Sequence, residues 1–201
     1  MSTLLYIDKI PASQQAAFTA KVKTIAAKLL VDPNWLMQVM KAESGVNPQA
    51  VNATGCATGL IQFMPKTATN LGTTTAALYK MNAVEQLDWV YKYFSPWTGK
   101  LKSYYDVYAV TFFPLIVGKP DTWVVESKDL SAALIARQNK IIDINKNGQI
   151  TVGEFKQYVK NTVVKSNWEI VFGAFNAAKD AVASNAGTLG AAVAIAFFFT
   201  H

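Results

Sequence analysis

Apolar residues over the first hundred positions recur with the period of a helix rather than that of a strand. Phe18, Val22, Ile25, Ala26, Leu29 and Leu30 form one stripe, with Lys21, Lys23 and Lys28 on other faces, and this predicts a helix over residues 12–31. Asp32-Pro33 then supplies an N-cap and a proline for the first position of a second helix. That helix carries Trp35, Leu36, Val39 and Met40 on its apolar side, and Glu43 falls one turn after Val39, on or beside the buried face. Gly45 stops it, and Asn47-Pro48 opens an irregular segment.

Residues 46–59 are rich in Asn, Gly, Thr and Ala and read as a surface loop with turns. A short helix is expected over residues 60–71, bent or restarted at Pro65. Another is expected over 83–94, with Val84, Leu87, Val90, Tyr91 and Phe94 on one face. Residues 104–117 are strongly apolar and read as a core helix ending near Pro114, although the run 111–117 taken alone also fits a buried strand. No internal repeat of useful length is visible. The expected fold class is mainly α.

Composition narrows the class. A chain of 201 residues can bury a full core in one domain with a small appendage. Apolar residues make up 51% and charged residues 16%, which excludes intrinsic disorder. The charged share lies below the ~25% of ordinary globular chains, so some apolar surface is expected to meet something other than water. A formal charge of +6 favours an anionic partner. The lysines are scattered and form no basic run, so a specific nucleic-acid partner is not expected, whereas a cell-wall polymer or an anionic membrane surface fits.

Cys56 is the only cysteine and His201 the only histidine. An intrachain disulfide, Cys–His nucleophilic catalysis and His-ligated zinc are thereby set aside. Cys56 is expected to be a small buried residue. The N-terminal stretch has no basic region and its short apolar run is interrupted by Asp8, so no secretory signal peptide is expected.

The candidate chemistry lies in two linked segments, Lys41-Ala-Glu-Ser-Gly-Val-Asn-Pro-Gln-Ala50 and Gly59-Leu-Ile-Gln-Phe-Met-Pro-Lys-Thr-Ala68. A carboxylate near the end of an apolar helix, followed by a Gly-rich turn and a glutamine, suits glycosidic-bond cleavage. The acid must be desolvated enough to stay protonated, and the sugar must be held by short polar side chains and backbone. The pairing of Glu-Ser with Gly-Leu-Ile-Gln resembles the soluble lytic transglycosylase and goose-type lysozyme group. The resemblance is close over residues 33–70 and weak elsewhere.

That resemblance implies a lysozyme-like α fold and peptidoglycan as the substrate. It implies Glu43 as the catalytic acid, with Ser44 and Gln62 contacting sugar and main chain. It also implies a tyrosine that hydrogen-bonds the acid. Tyr108 is the best-placed candidate and Tyr104 and Tyr105 are its rivals, but Ala109 follows Tyr108 where the family usually has Asn. No second carboxylate stands close to Glu43 in sequence, and Asp88 and Asp106 are guesses for one. In the family resembled, the substrate's own N-acetyl group can take that part, and the glutamate then acts as base while the sugar's 6-hydroxyl closes a 1,6-anhydro ring. A transglycosylase is therefore expected ahead of a hydrolytic lysozyme, with a non-catalytic glycan-binding or virion protein as the reading from another class.

A second motif is independent of the first. Asp143-Ile-Asn-Lys-Asn-Gly-Gln-Ile-Thr-Val-Gly-Glu154 has the length and pattern of an EF-hand loop. Asp143, Asn145 and Asn147 stand at positions one, three and five, Gly148 at the sharp turn, Gln149 where a backbone carbonyl ligates, and Glu154 at twelve. Ile150 is expected to pack inward, with Leu134, Ile135 and Ile141 in the entering helix and Phe155, Tyr158 and Val159 in the leaving one. With only two acids in the loop, calcium affinity is expected near the ~10⁻⁴–10⁻³ M of extracellular modules, and the expected role is structural.

Residues 181–200 contain no charge. They leave three readings open: a membrane tail, a core or docking helix, and an oligomer contact. The expected organisation is a lysozyme-like catalytic domain over 1–125, an EF-hand helix-loop-helix over 126–165, and an amphipathic and apolar C-terminal segment over 166–201. Absent an export signal, the expected setting is a phage virion, or the host periplasm and cell wall after release, with membrane association through the C-terminal segment.

Overall fold

In the computed structural model, residues 4–53 and 56–161 are described. The predicted C-terminal segment, including the uncharged run 181–200, lies outside them. Among the described residues the architecture is helical, with extended pairing confined to isolated bridges. No described helix is long and apolar enough to cross a membrane. The chain divides into two units, whose described parts run over residues 4–112 and 113–161.

The first unit is built on α1 (Ala12–Leu29) and α2 (Pro33–Ser44). α1 buries Phe18, Val22, Ile25, Ala26 and Leu29, the stripe predicted by periodicity. Asp32 caps α2 by accepting from the Asn34 amide at 2.7 Å, and Pro33 occupies the first turn, where a missing N–H costs nothing. α2 buries Leu36, Met37, Val39, Met40 and, on the same stripe, Glu43. Gly45 ends it in the left-handed region, at φ 68°.

The segment after α2 departs from its predicted form in two respects. Residues 60–64 are not helical. Thr58 and Phe63 exchange backbone hydrogen bonds at 3.0 and 2.9 Å, and Val51 pairs with Thr58 in a second bridge. Gly59 and Gln62 both adopt positive φ, which breaks a helix, so α3 (Pro65–Leu71) begins only at the proline. Cys56 is exposed rather than buried, because it sits in this loop at φ 57° and faces outward. The loop is also less superficial than its composition suggests, since Val46, Ala57 and Thr58 are all buried.

After the short α4 (Thr75–Lys80), α5 (Ala83–Phe94) opens with a reciprocal capping box between Asn82 and Glu85. Its predicted range holds, but its buried face is rotated. Ala83, Gln86, Leu87, Val90 and Phe94 are inside, whereas Val84 and Tyr91 are half-buried and Lys28 lies over the Tyr91 ring. α6 (Tyr104–Phe112) buries residues on nearly every side, as a helix apolar all round must. It ends at Phe112, close to the predicted end near Pro114, and Pro114–Ile116 form a separate single turn of 3₁₀ helix.

The second unit contains α7 (Ala132–Gln138) and α8 (Val152–Val159), flanking the loop 143–154. Ile135, Phe155, Tyr158 and Val159 are buried as expected. Ile141 lies beyond the end of α7 and is 41% exposed, and Ile142 takes the buried place instead. Ile150 is fully buried, and its carbonyl accepts from the Val125 amide at 2.7 Å within a bridge between Val124 and Thr151.

Candidate active site

Glu43 is in the last turn of α2, where the helix presents its unpaired carbonyls rather than amides. Its position on the apolar stripe turns it inward, and it is only 7% exposed. One carboxyl oxygen, Oε2, is buried without a hydrogen-bond partner. Burial pushes its pKa from 4.5 up to about 8, and a hydrogen bond with the Thr111 hydroxyl pulls it partly back. An ionised Glu43 is thus disfavoured in the site by on the order of 5 kcal/mol relative to water. At neutral pH the side chain is a carboxylic acid, which is the form a proton donor needs.

The hydroxyls of Ser44, next to the acid in sequence, and of Tyr93 and Thr111 are engaged as donors to main chain. Ser44 Oγ is within hydrogen-bonding distance of the Met40 and Leu60 carbonyls at 3.0 and 2.9 Å. Tyr93, on α5, donates to the Val110 carbonyl at 2.9 Å. Thr111 donates to the Tyr108 carbonyl at 2.8 Å. Each hydroxyl has one proton to give, so these bonds leave few donors to favour an ionised Glu43. The Tyr93 hydroxyl is buried although part of its ring reaches the surface. Burial first, and the Glu43 charge second, push its pKa far above the usual range, so it stays protonated.

The glycine-rich turn is held by two glutamine side chains. Gln62 donates from Nε2 to the Ala50 and Gly59 carbonyls at 3.2 and 3.1 Å. Gln86, fully buried on α5, accepts from the Leu60 amide at 2.9 Å and donates to the Pro48 and Leu78 carbonyls. Gly59 must be glycine on two counts. Its φ is 86°, and a Cβ would collide with Gln86 Oε1. Ser44, through Leu60, ties the end of α2 to this turn. Glu43, Ser44 and Gln62 are thereby set in one framework, with Ser44 and Gln62 bonded to main chain.

Tyr108 is buried in α6 with its ring 6.1 Å from that of Tyr104. Tyr93 was not selected from sequence, because it lies off the apolar face of its helix and long-range coupling leaves no local signal. Gln86 and Thr111 were also missed. Gln86 did leave a trace: a polar residue one position before Leu87, on a stripe of core residues. Asp106, a candidate second carboxylate, caps α6 by accepting from the Lys102 amide and Ser103 hydroxyl, both at 2.9 Å. Asp88 pairs with Lys21 at 2.8 Å and is largely exposed.

Residues 21–105 match the family model of the Transglycosylase SLT domain. The match supports the SLT family and, at family level, peptidoglycan cleavage of the lytic transglycosylase type. The mainly helical architecture agrees with the lysozyme-like fold of that family. Glu43, Ser44, Gln62, Gln86 and Tyr93 fall inside the matched SLT segment, whereas Tyr108, Thr111 and the loop 143–154 fall outside it. Searches of curated proteins and of solved structures gave no match.

The loop 143–154 forms a separate site in the second unit. Asp143 accepts from the Asn147 and Gly148 amides at 3.1 and 2.9 Å, and Asn145 and Asn147 each accept from an amide two residues on. Glu154 is 9% exposed and fully engaged. Its Oε1 accepts from the Asn145 amide, and its Oε2 from the Thr151 amide and hydroxyl. Among the described residues no group of three or more His, Cys, Asp or Glu side chains could hold a metal. A cation in this loop would therefore rely on two carboxylates, two side-chain amides and the Gln149 carbonyl. That oxygen-only set fits calcium rather than zinc.

Proposed function

We propose that this protein cleaves the MurNAc–GlcNAc bond of peptidoglycan as a lytic transglycosylase, with Glu43 as acid and then base. The observation that carries the reading is a carboxyl group buried at a helix end, its pKa raised by that burial, inside a segment that matches the SLT domain. Glu43 gives its proton to the glycosidic oxygen as the bond from the sugar C1 to that oxygen breaks. The positive charge left on the sugar is taken up by its own N-acetyl group. The ionised Glu43 then removes the proton of the 6-hydroxyl, whose oxygen closes on C1, and the acid is restored. No water is consumed, so the products are 1,6-anhydro sugars.

Two features support ring closure ahead of hydrolysis. Asp106 and Asp88, the sequence candidates for a second carboxylate, are engaged elsewhere, one in a helix cap and one in a surface ion pair. Glu43 itself is only 7% exposed, which leaves little room for an attacking water beside it. Ser44 and Gln62 hold the glycine-rich turn that follows the acid.

Mass spectrometry of soluble products from purified murein tests this reading, with wild type beside Glu43→Gln. Products one water lighter than reducing muropeptides, lost in the variant, are expected. Reducing products would make the protein a hydrolase. Unchanged activity in Glu43→Gln would overturn the assignment of the acid, and no product from folded wild type would favour a glycan-binding or virion role.

Calcium at Asp143, Asn145, Asn147, Gln149 and Glu154 belongs to the same proposal as a structural ion. When bound it would join the start of the loop to α8. A calcium titration followed by thermal unfolding tests it, the expected response appearing at ~10⁻⁴–10⁻³ M.

A further inference from the structure

Leu60, in the glycine-rich turn, is gripped by side chains at both its backbone groups. Its amide donates to Gln86 Oε1 at 2.9 Å, and its carbonyl lies 2.9 Å from Ser44 Oγ, which donates to it. Ser44 is the last residue of α2 and follows Glu43 directly, whereas Gln86 belongs to α5. Leu60 and Gln86 are both fully buried, so water cannot replace the bond between them at little cost.

The Gln86 carboxamide joins three stretches of main chain. Besides holding the Leu60 amide, it donates from Nε2 to the Pro48 carbonyl at 2.6 Å and to the Leu78 carbonyl at 2.8 Å. One acceptor and two donors in a plane are what a primary amide offers; glutamate lacks the donors, and methionine lacks both kinds of group. α5 meets the same turn again two helical turns later, where the Tyr93 ring stands edge-on to Phe63 with centroids 6.2 Å apart. Gln86 and Tyr93 are seven positions apart and so lie on one line along the helix. That single edge of α5 holds the turn at residue 60 and at residue 63.

We propose that Gln86 is a positioning residue for Glu43, acting in series through Leu60 and Ser44: it fixes the Leu60 peptide, and the Leu60 carbonyl fixes the last turn of the helix that carries the acid. This rests on the acid–base role given to Glu43 above. Gln86 neither gives nor takes a proton in the reaction.

The end of α2 needs such a hold. A last helical turn has carbonyls without helical partners, and here the exit is strained as well. Gly45 and Val46 both stand in left-handed backbone, at φ 68° and 64°, which is costly for a β-branched residue and persists only where the surroundings over-determine it. Gln86 restrains this exit twice, directly at Pro48, two residues beyond Val46, and through Leu60 at Ser44. Gln62 and Gln49 tie the same loops at other points, Gln62 to the Ala50 and Gly59 carbonyls and Gln49 to the Met81 carbonyl. Placement of the acid matters because a shift of about 1 Å can cost on the order of 10²-fold in rate.

The test is a double-mutant cycle on soluble peptidoglycan strands, with folding checked by circular dichroism. It compares wild type, Gln86→Met, Ser44→Ala and the double variant, with Gln86→Leu as a second apolar replacement. Gln86→Met is expected to lower kcat by about 10–10²-fold with KM little changed, and the double variant to be no slower than the slower single one, because both grips act on one residue. Losses that multiply would show two independent effects and overturn the series. Wild-type kcat in a folded Gln86 variant, or a change confined to KM, would overturn the positioning role. Ser44→Ala removes a single hydroxyl and carries the test even where the Gln86 variants do not fold. Loosening the Leu60 carbonyl is expected to speed hydrogen exchange at the Leu60 amide about tenfold by NMR, and unchanged exchange would overturn the link. Failure of the acid–base reading would show separately, as activity retained in Glu43→Gln with the exchange response intact.

Discussion

Glu43 and Glu154 are both helical glutamates nearly closed off from solvent, at 7% and 9% exposure, yet their surroundings are opposite. Glu43 sits at the carbonyl end of α2, with one oxygen unpartnered and hydroxyls nearby that donate to backbone carbonyls. Glu154 sits in the first turn of α8, where free amides favour an anion, and both its oxygens are bonded. Burial alone therefore does not decide what a carboxyl group does. The direction of the donors around it does. One glutamate is kept as an acid, and the other is placed to act as a carboxylate that organises a loop.

The largest effect should come from Glu43→Gln in the murein assay, with turnover down by ~10²–10⁴-fold and substrate binding retained. A smaller loss would break the contrast at its first member. The same substitution should stabilise the protein at alkaline pH. The folded state holds the Glu43 proton more tightly than the unfolded chain, about 8 against 4.5. The wild type therefore loses stability as pH rises from about 4.5 to 8, and Gln, which does not titrate, escapes that loss. The variant should lead by a few kcal/mol at pH 8 and not at all below pH 4.5, as read from denaturant unfolding across pH. Parallel curves would show that Glu43 is not held as an acid.

Glu154→Gln should do the reverse. It keeps one acceptor oxygen of two, so it should destabilise by about 1–3 kcal/mol in urea unfolding without changing murein chemistry at saturating substrate. Comparable destabilisation by Glu43→Gln would erase the distinction between the two sites. Smallest is the expected rise in unfolding temperature on adding millimolar calcium, a few degrees in wild type and none in Glu154→Gln.

Much of this was legible in the sequence. Period gave α1, α2 and α5 within a residue or two, and Asp32-Pro33 and Gly45 marked the ends of α2 because they act through adjacent backbone atoms. Glu43 could be picked out because it continues an apolar stripe. The turn at 59–63 was misread as helix because Leu60, Ile61, Phe63 and Met64 look like a helical run. What prevents a helix there is the left-handed backbone at Gly59 and Gln62, together with Gln86 holding the Leu60 amide from a distant helix.

The sequence by itself determined the helical class, the helix ends, the inward face of Glu43 and the order of residues in the 143–154 loop. These depend on neighbours three or four positions apart, where spacing fixes geometry. Only the tertiary structure decided which hydroxyls surround Glu43 and which way they donate. Tyr93 and Thr111 come from α5 and α6, dozens of residues away, and their donors were claimed by the carbonyls of α6 itself. Chain folding also closed Glu43 off from solvent, and burial with an oxygen left unpartnered is what keeps this glutamate an acid.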